Sequence, residues 1–122
     1  MPGPWGQWHP LLLSDQKASG AATNEDLDLG PVPVGQQWCI NHVAAEDETT
    51  AATEIRFGIA RAGTFFPLED QESPAAGVLY TVPDPIYLAA GEYLRVRFVG
   101  STNNDVLKAY ANGYAIPAPP GA

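Results

Sequence analysis

Two stretches of the chain alternate apolar and polar side chains with a period of two, and that rhythm restricts the fold more than any other feature. In Ala52–Arg61, Ile55, Phe57 and Ile59 fall on one face and Glu54, Arg56 and Gly58 on the other. In Glu92–Val99, Leu94, Val96 and Phe98 share one face, with Tyr93, Arg95 and Arg97 opposite. A strand turns successive side chains to opposite sides, whereas a helix returns to the same side every ~3.6 residues, so the pattern predicts half-buried antiparallel strands. Gln37–Val43, with Trp38 and Ile40 inward, Val78–Val82 and Val106–Ile116 read as further strands, and Phe65–Leu68 and Ile86–Leu88 as shorter ones.

Turn chemistry separates these runs: Pro33-Val-Gly35, Ala62-Gly63, Ala89-Ala-Gly91 and Gly100–Asp105. No segment carries a helical stripe, and the 12 glycines and 12 prolines favour turns and extended chain. About seven short strands at this spacing predict an all-β fold, a single antiparallel β-sandwich of jelly-roll or immunoglobulin-like kind. At 122 residues the chain is of single-domain size.

The ends read differently. Residues 1–24 show no period, and Pro2, Pro4 and Pro10 oppose a helix through Leu11, so an extended arm is expected. The small residues of Lys17–Asn24 make its second part a linker. The sandwich is then expected over residues 25–116 and an extended, proline-rich tail over 117–122.

Charge narrows the partners. Fourteen acidic against six basic residues leave a formal net charge of −8, the wrong sign for neutralising phosphate or binding an anionic membrane. No run approaches the ~20 apolar residues of a membrane span. Met1–Leu13 holds no Lys or Arg and does not read as a signal peptide, so synthesis in a cytoplasm is expected. The single cysteine, Cys39, excludes an internal disulfide framework.

Candidate chemistry is sparse, and neither an enzyme nor a cofactor is expected. His9 and His42 have no His, Cys or carboxylate at ligand spacing, which predicts structural or surface roles and no metal. Cys39 lacks a basic neighbour that would lower its pKa, so a buried inert thiol is expected. Glu46–Glu48 and Glu69–Glu72 fall in expected loops and do not match a calcium-binding loop. Ser14, Ser19, Ser73 and Ser101 lack a nucleophile context.

The tryptophans divide. Trp38 belongs to a strand and to the core, whereas Trp5 and Trp8 stand on the arm with Leu11, Leu12 and Leu13. Either these five side chains cover their own domain or they fill pockets on a partner. Tryptophan is enriched at binding hot spots, and the five are taken as the candidate partner-binding residues.

The core resembles the small β-sandwich accessory proteins of tailed-bacteriophage virions. The resemblance rests on Pro33-Val-Gly35-Gln-Gln-Trp38, Ile55–Ile59, Tyr87-Leu-Ala-Ala-Gly91-Glu-Tyr-Leu94-Arg-Val96 and Gly113–Ile116. It implies a structural virion component: a capsid decoration (cement) protein, or a tail, neck or baseplate accessory protein. It further implies a major capsid protein or other virion protein as partner, and a homo-oligomer, with a trimer expected. A carbohydrate-binding module is the expectation from another class, with Tyr80, Tyr87, Tyr93, Tyr110 and Tyr114 available to stack on sugars.

Overall fold

The computed structural model describes residues 8–21 and 24–118. They form nine strands and, among the described residues, no helix: β1 (His9–Ala18), β2 (Asn24–Leu29), β3 (Gln36–Asp47), β4 (Glu54–Arg61), β5 (Thr64–Glu72), β6 (Tyr80–Val82), β7 (Ile86–Leu88), β8 (Tyr93–Val99) and β9 (Val106–Pro117). All pairings are antiparallel, in two packed sheets ordered β1-β9-β3-β6 and β2-β8-β4-β5. Strand β7 shares the edge lane with β6. Its Ile86–Leu88 pairs with the first half of β3, and β6 pairs with Val43–Ala45 in the second half. Pro83 and Pro85 lie between these two short strands, where proline ends a ladder because it has no N–H to donate.

The core lies between the sheets. Leu27, Ile55, Phe57, Leu94, Val96 and Phe98 come from one, and Trp38, Ile40, Val43, Leu88 and Leu107 from the other. Strand β9 adds small inward residues, Ala109, Ala111 and Ala115, which leave room for the larger rings and branches opposite. Trp38 is buried, as its place in a strand predicts.

Each sheet contains one bulge with a glycine across from it or beside it. In β3 the register shifts between Ile40 and His42, so Val43 rather than His42 turns inward. Gly113 stands opposite Ile40, and a Cβ there would meet the Cys39 carbonyl oxygen at 1.9 Å. The second shift falls between Phe57 and Gly58, and a Cβ on Gly58 would lie 2.1 Å from the Phe66 carbonyl oxygen. Both positions demand glycine because backbone, which cannot step aside, occupies the space.

The expected arm is corrected from His9 onward. Residues His9–Ala18 are an edge strand paired with β9 along its whole length. Leu11 and Leu13 pack against the core while Leu12 points out, 87% exposed. Three consecutive leucines disguise a period of two, since the outward one is as apolar as its neighbours. Pro10 is tolerated because β1 is an edge. The expected linker shrinks likewise: Lys17 and Ala18 finish β1, Asn24 begins β2, and Ser19 is buried. At the other end β9 continues to Pro117, and the Ala118 N–H donates to Gly35 O at 2.9 Å.

Candidate functional site

The outer face of the β1-β9-β3-β7 lanes is built from strand register. Cys39 pairs with Tyr87 on one side and Tyr114 on the other, and Tyr114 pairs in turn with Pro10 of β1. The small Cys39 therefore forms a floor between two tyrosines whose Cα atoms stand about 10 Å apart, twice the strand spacing. Trp8 closes the row: its ring centroid lies 5.8 Å from that of Tyr114, at 57°. The result is a cleft of about 590 Å³ walled by Trp8, Tyr87 and Tyr114 and flanked by Gln37, Arg61 and Glu92. Tyr87 is 69% exposed and Trp8 65%, so the aromatic walls stand open.

One rim of the cleft is polar and fixed. The Glu92 carboxylate is buried, accepts the Ala89 N–H at 2.7 Å and takes the Arg61 Nε–H with its other oxygen. Arg61 also lies over the Phe66 ring, 5.9 Å from its centroid. The guanidinium is held through Nε–H and the Phe66 ring, and among the described residues its terminal N–H groups have no partner.

No family model, no curated protein and no solved structure matches this chain. The cleft has to be read from its own chemistry.

The five candidate partner-binding residues separate. Trp8 joins the cleft, Leu12 extends the same outer face, and Leu11 and Leu13 belong to the protein's own core. Trp5 lies outside the described residues. Tyr110 and Tyr114 continue the face along β9, at 38% and 40% exposure. His9 is exposed and His42 half-buried, and Cys39 is half-buried rather than buried, its Sγ 3.6 Å from Asn41 Oδ1.

Both acidic runs prove to be largely strand. Glu46 and Asp47 end β3, and Glu69–Glu72 complete β5. Pairing across β4 and β5 brings the carboxylates of Glu54, Asp70 and Glu72 within 4.8 Å of one another on an open surface. Asp47 is different. It is buried at the far end of the aromatic sheet, with Oδ1 accepting the N–H groups of Thr49 and Thr50 and Oδ2 without a donor. Asp105 is buried beside it and accepts from Thr50 Oγ1 at 2.5 Å and from the Thr102 N–H at 3.0 Å. Burial, and then the hydrogen bond with Asp105, push the Asp47 carboxyl up to about 6. Burial opposes charge on Asp105 too, but its bonds from Asp47, Thr50 and Thr102 outweigh that and lower its pKa. Below about pH 6 the pair therefore holds one proton, on Asp47, and the protonated Oδ2 can donate toward Asp105. No periodicity signals this pair, because its members meet only through the pairing of β3 with β9.

Proposed function

We propose that this chain is a non-enzymatic structural accessory protein of a tailed-phage virion, a capsid decoration protein docking through the outer face of the β1-β9-β3-β7 lanes. The observation that carries the reading is that face: Trp8, Leu12, Tyr87, Tyr110 and Tyr114 all exposed on neighbouring lanes. Adjoining exposed aromatic and aliphatic side chains mark a docking surface, and aromatic residues anchor such contacts.

Two further points support it. The sequence resemblance covers the turns and strands of this core. The pairing of β1 with β9, β2 with β8, β3 with β6 and β7, and β4 with β5 favours the jelly-roll alternative over the immunoglobulin-like one. Viral capsid domains use that arrangement, and so do lectins, so the fold narrows the function without choosing it. The partner would be a major capsid protein, with a trimer of this chain at each docking position; a tail, neck or baseplate position is the alternative on the same fold.

The test is docking to particles that lack the protein. Trp8→Ser with Leu12→Ser should leave the melting temperature near wild type and abolish co-sedimentation. Leu11→Ala with Leu13→Ala should instead lower stability by about 1–3 kcal/mol, because those side chains face the core. Wild-type occupancy by the Trp8/Leu12 variant would sink the docking face. Copy number in purified particles then separates a shell position (hundreds) from a tail position (tens).

A further inference from the structure

We infer that the Trp8–Tyr87–Tyr114 cleft is a binding site for a neutral hexopyranose unit of a glycan. The walls give the first reason. A pyranose ring presents C–H groups on its faces and hydroxyls around its rim, and aromatic rings receive the faces by apolar contact. Tyr87 and Tyr114 flank the cleft with only Cys39 between them, and the tilted Trp8 ring extends the platform beyond Tyr114.

The rim gives the second. Adjacent sugar hydroxyls suit forked, planar polar groups; of the three beside the aromatic walls, Glu92 is taken up by Arg61 and Ala89, which leaves Arg61 and Gln37. Arg61 arrives oriented: Glu92, itself fixed by the Ala89 N–H, takes Nε–H and leaves the terminal N–H groups forward. A preset donor fork costs less ordering on binding than a free side chain would.

Charge gives the third. Glu92 neutralises Arg61 within the cleft, and the protein as a whole carries −8, so neither local nor long-range attraction favours a sulfated or uronic polymer. The volume of about 590 Å³ lies inside the range of ordinary small-ligand sites and exceeds a single sugar ring, which points to a short oligosaccharide segment.

The cleft shares Trp8, Tyr87 and Tyr114 with the proposed docking face, so sugar binding is tested on the isolated protein, where its failure leaves particle docking to be judged separately. Cellotriose, maltotriose and the trisaccharide of N-acetylglucosamine are titrated while the Trp8 indole N–H is followed by NMR. At least one is expected to move that resonance with a Kd of roughly 10 μM to 1 mM, the span of weak single-site recognition. Tyr87→Ala should weaken binding at least about tenfold, because it removes one wall of a hot-spot pair. Arg61→Lys keeps the ion pair with Glu92 but loses the fork, and should also weaken binding severalfold with an unchanged melting temperature. The inference is overturned if all three sugars leave Trp8 unmoved, or if both variants bind like wild type. It is equally overturned if a proline-rich peptide saturates the cleft while no sugar does.

Discussion

Along β2 and β8 of the second sheet the outward charged side chains satisfy one another. Asp26 and Asp28 stand across from Arg97 and Arg95 by register, with Arg97 Nε 2.8 Å from Asp26 and Arg95 Nε 2.7 Å from Asp28. Arg56 is bonded to Glu54 at 2.8 Å, and the Phe65 ring lies 4.8 Å from the Arg97 guanidinium carbon. The outward face of β1, β9, β3 and β7 is the opposite case. Tyr87, Tyr114, Leu12 and Trp8 are open, and the buried acids Asp47 and Asp105 lie at the far end of the lanes rather than across them. A surface whose charges are already matched within one chain offers little to a partner, whereas exposed rings gain by being covered. On the proposal above, recognition falls to the sheet with the open rings and not to the one with the paired charges.

The contrast holds only if both faces sit on equally firm sheets, and the two bulge glycines test that first. Gly113→Ala and Gly58→Ala each force a Cβ into carbonyl oxygen, at 1.9 and 2.1 Å. Each should cost about 3 kcal/mol or more in denaturant unfolding, since backbone must move to admit the methyl group. Equal losses mean that the faces differ in chemistry and not in rigidity. A loss under about 1 kcal/mol at Gly113 alone would mark the aromatic sheet as the softer one and undercut a preset cleft.

The buried acids provide the next effect in size. Asp47 is raised to about 6 from an ordinary 3.8, so the folded state binds its proton more tightly than the unfolded chain does. Its stabilisation is complete below about pH 4 and is lost as pH rises to about 6, on the order of 1–3 kcal/mol, with no further change above. Asp105, lowered, has the reverse sign and loses its contribution only as pH falls below the ordinary carboxylate range. Thermal unfolding should therefore show higher stability near pH 5 than at pH 7.5. Asp47→Asn keeps an acceptor for the Thr49 and Thr50 N–H groups and supplies a permanent donor toward Asp105, so it should flatten that slope and stabilise the protein at pH 7.5. A slope unchanged by Asp47→Asn would assign the titration elsewhere.

What the sequence discloses follows the same division. Ile55–Ile59 and Leu94–Phe98 announce their strands because charged residues alternate with apolar ones, which is the signature of the β2-β8-β4-β5 sheet. Strand β2 belongs to that sheet but escapes notice: Asn24–Leu29 is half acidic, and its two inward leucines make too short a pattern. Strand β1 escapes for the opposite reason, because Leu12 is apolar on the outside and erases the alternation. The residues that make the aromatic face useful are thus those that make it hard to read. The cleft itself is a product of register, since Cys39, Tyr87 and Tyr114 lie on three separate strands and nothing local connects them.

The smallest effect expected is on the Asp–Arg pairs between β2 and β8. Arg97→Ala removes both bonds to Asp26, at 2.8 and 3.1 Å, yet Arg95 still approaches Asp26 at 3.5 Å and keeps its own pair with Asp28. Asp28 and Asp26 respectively raise the pKa of Arg95 and Arg97 above its ordinary value, so both stay charged throughout any practical pH range. Half-exposed pairs of this kind are each worth about 0.2–1 kcal/mol, and the surviving neighbour should hold the loss near the lower end. Salt distinguishes the mechanism: at roughly 1 M the screening length falls to about 3 Å, so the difference between Arg97→Ala and wild type should shrink. Tyr114→Ala on the other face removes no charge, and its effect should be indifferent to salt. If Arg97→Ala abolished particle docking with the fold intact, the charged face would be the recognition surface and the proposed assignment of the two sheets would reverse.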